Sequence, residues 1–403
     1  MSNKTWCIYP FVHLATFTDG NVTPCCVAKP YKNVNLNHLT IEEAWNHPEV
    51  INLRSKIMQG VEVENCRQCY IDESLGVDSH RTSSNRMFNT EYSLSEDDFL
   101  SPTLELDNLI TFDLRLGNTC NLKCVMCRPN ESHKWYEDIV KLNNLELTPV
   151  LKHNVYHKLS YNRTDYNWIN NTVFWENIDS ILPNIKEFIF GGGEPFMLKE
   201  VKRMLQKAID LNVASQMSIR FHTNGTYLTN KDFELFQHFK RIQLMFSVDG
   251  VDQINHLLRY PAEWDKIINN INECEKYGPN VESFILCSLT SISAYYLDQL
   301  YTFVHEQNWS KLPVSNIILG RVHHPNFLNP QTLDPIRKSI IERKFKTLID
   351  TYVTSAKTLQ ENLNWIIGNN DILLIDDTLS FIINLSEIRN HKYECITEFM
   401  NAI

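Results

Sequence analysis

An α/β fold is predicted by two features of the chain, with a third that sets its ends apart. Short apolar runs recur at 111–116, 187–190, 217–222, 242–248, 283–289 and 316–319. Helical patterns lie between them, for example 198–211, 264–277 and 294–306. Six alternations of this kind imply parallel strands with helices outside them. The third feature is cysteine, with eight of eleven residues concentrated in an N-terminal group and in a tight trio at Cys120, Cys124 and Cys127.

The first 90 residues form a small Cys-rich α+β module by their punctuation. Apolar residues on both sides of Asp19-Gly20 predict a hairpin that brings Cys7 and Cys25 together. Thr40 and Glu43 are spaced as a capping box, and 42–45 and 50–58 read as helices ended by Gly60. That pair returns the chain so that Cys66 and Cys69 complete four thiolates. Cys26 is adjacent to Cys25, and neighbours on a strand point opposite ways, so only one of the two is expected to ligate. Four cysteines suit a structural zinc as well as an iron–sulfur cluster.

From Ile71 to Asp107 the chain turns polar, and 91–108 reads as a linker. Glu73, Arg81 and Asn85 stand either near an active-site rim or on a solvated segment. The core domain is expected over 109–330. Its insert from Arg128 to Trp175 carries Trp135, Tyr136, Tyr156, Tyr161, Tyr166, Trp168 and Trp175. They line a substrate entrance or, as aromatics at helical spacing more often do, they form core. The final stretch, 331–403, reads as helices with loops at Pro335 and Gly368-Asn369-Asn370 that cap or flank the core.

Cys120, Cys124 and Cys127 follow the first core strand within eight residues, so one loop can aim three sulfurs at a single centre. Thiolate-only ligation suits zinc or iron–sulfur. Zinc lacks a fourth ligand nearby, whereas a four-iron cluster on three cysteines keeps one iron open. The second strand runs into Gly191-Gly192-Gly193-Glu194-Pro195, whose glycines allow close approach of a ligand.

These two motifs, in this order, resemble the radical S-adenosylmethionine (SAM) superfamily. The resemblance implies a partial (β/α)6 TIM-like barrel with ligands at the C-terminal strand ends. It implies a [4Fe-4S] cluster on Cys120, Cys124 and Cys127 with SAM chelated at the open iron, and SAM contacts from Gly192, Gly193, Glu194 and Pro195. His222-Thr223-Asn224-Gly225 and Ser247-Val248-Asp249-Gly250 end later strands. They resemble family positions that meet the SAM ribose and carboxylate, which makes Asn224, Ser247 and Asp249 cofactor candidates. Arg259 resembles a family arginine near the SAM carboxylate, and Met126 takes the place of an aromatic near adenine. The N-terminal module resembles the SPASM and twitch auxiliary-cluster modules, which implies an auxiliary [4Fe-4S] cluster on Cys7, Cys25, Cys66 and Cys69. It departs from them by preceding the barrel and by holding cysteines for one cluster rather than two.

What the resemblance implies is reductive cleavage of SAM to methionine and a 5′-deoxyadenosyl radical, which abstracts hydrogen from a substrate. An electron donor such as flavodoxin or ferredoxin is implied with it. The auxiliary-cluster branch is rich in peptide maturases, so a peptide or protein substrate leads. A small metabolite, nucleoside or sugar is the alternative, and a non-catalytic metal-binding regulator is a third reading that the intact Gly192-Gly193-Glu194-Pro195 counts against. A net charge of −10 disfavours nucleic acid as a partner. No apolar run approaches the roughly 18 residues of a membrane span, and Pro10 and His13 interrupt any signal-peptide core, so the expected location is the cytoplasm. Cys287 reads as an inert core thiol or a hydrogen donor to the cavity, and His323-His324 as a loop pair.

Overall fold

Each apolar run of the core becomes a strand within two residues of its expected limits. The computed structural model describes residues 3–402 except 75, 77, 160–165, 167, 369–371 and 393, and the side chains of 155–159 are outside it too. Tyr156, Tyr161, Asn369 and Asn370 therefore fall outside the described residues or side chains. Eight strands lie among the described residues: β1 (His13–Thr16), β2 (Val22–Thr23), β3 (Thr111–Arg115), β4 (Glu187–Gly191), β5 (Ser218–Thr223), β6 (Arg241–Ser247), β7 (Val281–Leu289) and β8 (Ile317–Arg321). The fold is α/β with mostly parallel strands. The chain divides into two bodies, the first comprising 1–118, 163–221 and 238–241, the second 119–162, 222–237 and 242–403.

In the first body β1 and β2 form the expected antiparallel hairpin, with Ala15 opposite Thr23. Gly20 closes its turn at φ +82, and a Cβ there would meet the Trp168 ring at 2.9 Å, so the turn is both left-handed and tightly covered. The strand begins at His13, because Phe11 and Val12 belong to a short helix, Tyr9–Val12. β1 then pairs in parallel with β3, Leu14 opposite Phe112. The N-terminal hairpin thus extends the core sheet instead of standing apart from it. β3 pairs with β4 and β4 with β5, placing Phe112 beside Phe188 and Phe190 beside Phe221. These rings stack at 6.0 and 5.4 Å and are buried, while Asp113 and Arg115 alternate to the other face.

The polar stretch after Ile71 is not a solvated linker. It forms the helices Arg67–Ser74 and His80–Tyr92, and Phe88 is buried edge-on to Tyr9 at 5.8 Å. Residues 91–108 are packed as well, with Phe99 against Phe11 at 5.3 Å and the Trp45 Nε1 donating to Glu105 O at 3.1 Å. Arg54, fully buried, donates to Pro10 O at 2.6 Å and to Pro102 O at 3.2 Å and so ties this segment to the module. A helix built mainly from Ser, Asn, Arg and His has little apolar periodicity, which is why it reads as loop from sequence. Of the aromatics in the 128–175 insert, Trp135, Tyr136, Tyr166, Trp168 and Trp175 are buried core residues.

The second body holds β6, β7 and β8 in parallel, with Leu244 opposite Ser283 and Ile285 opposite Ile317. Every second residue of β7 is buried, Cys287 among them. The C-terminal helices are Pro335–Thr351, Ala356–Ile367 and Ile375–Ile388. Pro335 starts a helix rather than a loop: Asp334 caps it by accepting from the Ile336 and Arg337 amides at 3.0 Å. Among the described residues no helix is long and apolar enough to cross a membrane.

His13 supplies a test of the β1–β3 junction. Its ring lies 2.7 Å from Thr111 Oγ1, and burial, followed by the charge of His80, lowers its pKa to about 3. The unfolded chain therefore binds a proton on His13 below its ordinary value of 6.5 while the folded chain does not. Stability from this group is complete above pH 6.5 and falls toward pH 3, by at most about 1.4 kcal/mol per pH unit. His13→Gln should flatten the pH 7 to 5 decline of the urea midpoint relative to wild type, and an identical decline would refute this assignment.

Candidate functional site

A loop that gathers three thiols gains no regular backbone pairing of its own, so its shape must be imposed from outside. The 120–127 loop of the second body is pinned at successive peptides. The Lys123 amide donates to Tyr260 O at 2.7 Å and the Val125 amide to Leu258 O at 2.8 Å. Leu122 O accepts from Ser132 Oγ at 2.5 Å, and Cys124 O accepts from Trp135 Nε1 at 3.0 Å. The Cys120 amide points at His133 Nδ1, 3.3 Å away. Ser132 precedes and Trp135 begins the helix Trp135–Leu142, whereas Leu258 ends the helix Gln253–Leu258 and Tyr260 follows it, so the loop is gripped from two directions.

The three sulfurs act on one another. Burial pushes the Cys127 thiol well above its ordinary value, and Cys124, Glu131 and Cys120 add to the shift. Burial also raises Cys124, against which Arg259 and Arg389 act in the opposite sense to Asp249. Two side-chain donors face the sulfurs. Asn224 Nδ2 is 4.0 Å from Cys120 Sγ and donates to Asn121 Oδ1 at 2.8 Å, and Arg259 Nη1 is 3.9 Å from Cys124 Sγ. A desolvated group of thiols with N–H donors aimed at it fits a cationic iron–sulfur group that draws off the thiolate charge.

Asp249 and Arg259 are brought together, but primarily with each other. Arg259 Nη2 donates to Asp249 Oδ1 at 2.9 Å, and Nε lies 2.7 Å from Oδ2. Burial disfavours the guanidinium charge and the Asp249 carboxylate outweighs it, so the Arg259 pKa is raised. The Ser288 amide donates to Asp249 Oδ1 at 2.6 Å and Ser288 Oγ accepts from Arg259 at 3.2 Å. Ser247 and Met126 are half-buried. Sequence reading missed Ser288, because β7 offers only its alternation as a signal. Cys287 beside it is fully buried.

In the first body, β4 ends in the glycine turn. Gly192 adopts φ +97, and a Cβ there would stand 3.0 Å from Gly117 O and 3.1 Å from Arg115 Cβ. The Gly193 amide donates to Gly117 O at 3.1 Å, which holds the turn against the end of β3. Glu194 is buried and its carboxylate caps the turn Pro195–Met197, accepting from the Phe196 amide at 3.3 Å. The Glu194 carboxylate thus has a local structural partner.

Also in the first body, Cys7, Cys25, Cys66 and Cys69 line one pocket, with Tyr9, His80 and Arg81 at its wall. The loops carrying Cys25 and Cys66 are joined through Lys29 N to Asn65 O at 3.1 Å and Asn65 Nδ2 to Lys29 O at 3.0 Å. Arg81 pairs with Glu73 and donates to Trp6 O at 2.8 Å, and Asn85 holds both Trp6 O and the Ile8 amide at 2.9 Å. These three residues, read from sequence as rim or linker, fix the backbone on either side of Cys7. Burial and then Cys69 push the Cys66 thiol up to about 12, and burial is the first cause of the raised Cys7 and Cys25 pKa values. Cys26 is exposed outside the pocket lining, 3.5 Å from His80 Nε2. The donor set is four thiols, which fits an iron–sulfur cluster. Among the described residues, no three His, Cys, Asp or Glu side chains are grouped for a single metal ion.

Residues 114–290 match the family model of the Radical SAM superfamily, and residues 7–70 match that of SPASM, an iron-sulfur cluster-binding domain. No curated protein matches the chain. Among solved structures, native anSMEcpe with bound AdoMet and Cp18Cys peptide is 18% identical, with a TM-score of 0.37 and 61% of each chain covered. Streptococcus suis SuiB bound to S-adenosylmethionine is 13% identical, with a TM-score of 0.34, 87% of this chain and 69% of that chain covered. The chain spans 61% of the length of the first of these structures.

The pocket geometry generates a metal-content prediction. Cys66→Ala should remove about half of the iron of the reconstituted protein, as loss of one of two four-iron clusters requires, whereas Cys26→Ala should leave iron and sulfide unchanged. Equal iron in Cys66→Ala and wild type would remove the cluster from this pocket.

Proposed function

We propose that this chain, a radical SAM enzyme with an N-terminal SPASM-type iron–sulfur domain, cleaves SAM reductively and modifies a peptide or protein. The observation that carries the reading is the three-cysteine loop pinned by neighbouring peptides, with Cys120 buried, Cys124 and Cys127 half-buried, and N–H donors facing the Cys120 and Cys124 sulfurs. When bound, the cluster and SAM supply reductive cleavage to methionine and a 5′-deoxyadenosyl radical, which takes hydrogen from the substrate.

In this reading Cys120, Cys124 and Cys127 hold the catalytic cluster, and Asn224 and Arg259 direct N–H groups at two of the sulfurs. Asp249 keeps Arg259 charged and aimed, with Ser288 fixing the carboxylate. Gly192, Gly193, Glu194 and Pro195 are taken as SAM contacts on the family resemblance, and so are Ser247 and Met126. The absence of a side chain at Gly192 is what allows the turn to lie so close to Gly117. Cys7, Cys25, Cys66 and Cys69 hold the auxiliary cluster. The peptide substrate class rests on the SPASM domain, since the branch that carries such modules is rich in peptide maturases.

Cys124→Ala should abolish 5′-deoxyadenosine formation while the N-terminal metal stays in place. Cleavage at the wild-type rate would end the catalytic assignment. With reduced, anaerobically reconstituted wild type, host extract split by a size filter tests the substrate class. Stimulation of 5′-deoxyadenosine yield by the large fraction is expected, and stimulation by the small fraction alone would replace the peptide reading with a metabolite or nucleoside.

A further inference from the structure

The cluster loop is gripped at its centre by charged groups that no cysteine-spacing motif includes. Asp138, on the helix Trp135–Leu142, is fully buried. One of its oxygens accepts from Lys123 Nζ at 2.5 Å and the other from Arg389 Nε at 2.7 Å. Arg389 caps the helix Ile375–Ile388, and its Nη2 donates to Lys123 O at 2.8 Å. Its guanidinium lies over the Trp135 and Tyr260 rings at 5.2 and 5.1 Å, and the Lys123 ammonium is 5.6 Å from Tyr260. Tyr260 closes the knot: its hydroxyl donates to Arg389 O at 3.3 Å and its carbonyl receives the Lys123 amide at 2.7 Å.

Two cations share one carboxylate, so the buried knot carries a surplus positive charge. Glu137 also approaches Lys123, at 3.9 Å, but its side chain is 65% exposed and solvent screens it. A second ion pair at the loop, Arg259 with Asp249, is neutral as a pair, and Glu131 acts on Cys127 at the loop's other end. Lys123 is the residue before Cys124, and Arg389 acts electrostatically on the Cys124 sulfur.

We propose that Lys123, Asp138 and Arg389 are positioning residues that fix Cys124 and bias the loop's cluster toward its reduced state. This rests on the reading of Cys120, Cys124 and Cys127 as cluster ligands. Reduction adds one negative charge, and a nearby desolvated cation stabilises the reduced form more than the oxidised one. Arginine is required at position 389 because its planar fork spans a carboxylate and a carbonyl at once, which an ammonium cannot do with the same geometry. Asp138 is required because without it two buried cations would repel. Arg389 lies outside the 114–290 region, so a residue of the C-terminal helices takes part in a function that the core motif alone does not define.

The test is a redox titration of the full-length, anaerobically reconstituted protein, followed on the electron paramagnetic resonance signal that changes when SAM is added. Arg389→Met and Lys123→Met should each move the midpoint potential negative and lower the reduced fraction at a fixed dithionite level by about threefold or more. Arg389→Lys should recover the potential while broadening the signal, since charge returns without the fork. A wild-type potential and line shape in both methionine variants would overturn the proposal. Should Arg389→Met fail to fold, Lys123→Met, whose side chain is 12% exposed, decides the matter alone. Failure of the underlying reading looks different: wild type itself would then give no SAM-sensitive signal, or Cys124→Ala would retain it.

Discussion

Thiolates resist being collected. Three of them in one short loop repel each other and lose water, and both effects raise their pKa values. At Cys120, Cys124 and Cys127 the loop's peptides are fixed by their neighbours: Lys123 and Val125 donate to Tyr260 and Leu258, and Cys124 O is held by Trp135. The backbone that carries the sulfurs is thereby arrested. Around this arrangement lie groups that favour negative charge on sulfur, Asn224 near Cys120 and Arg259 near Cys124. Asp249 and Ser288 exist in the structure largely to hold Arg259 where it is.

The N-terminal pocket solves the same problem with different means. Its four cysteines come from separated segments, so the constraint is long-range rather than local. Arg81, held by Glu73, reaches Trp6 O, and Asn85 brackets Trp6 O and the Ile8 amide. Cys7 sits between those two anchored residues. Polar side chains that bind backbone in this way leave few alternatives for the chain around Cys7.

How much of this was readable beforehand follows from the range of each interaction. Strand positions were legible because apolar runs are local, and the three-cysteine loop and the glycine turn were legible because each occupies a handful of consecutive residues. The helix His80–Tyr92 was not, since its composition carries no apolar stripe. Neither was the pairing of β1 with β3, which joins residues about a hundred positions apart through His13 and Thr111. The Asp138–Arg389 contact spans 251 positions, and nothing in either residue's neighbourhood announces it. Asp249 was noticed as a polar residue at a strand end and Arg259 by its resemblance to a family arginine, but spacing cannot tell whether two such residues face a ligand or each other. The structure pairs them with each other through one hydrogen bond and a 2.7 Å ion contact, while Arg259 also faces Ser288 and the Cys124 sulfur.

The β1–β3 pairing changes what kind of object the N-terminal module is. A module joined by a flexible linker would be free to take many positions relative to the strand that leads into the three-cysteine loop. Here three consecutive residue pairs, His13 with Thr111, Leu14 with Phe112 and Ala15 with Asp113, lock the hairpin to β3 in a single register. A slip of β1 by one residue would turn Leu14 away from the face it shares with Phe112 and take His13 away from Thr111 Oγ1, so the register is enforced by burial on one face and a hydrogen bond on the other. Packing of 91–108 against Trp6, Trp45 and Arg54 adds a second attachment. The four-cysteine pocket is therefore attached, through the hairpin, to the sheet that holds β3 and β4, and strand register rather than the length of a connecting segment sets its place in the first body.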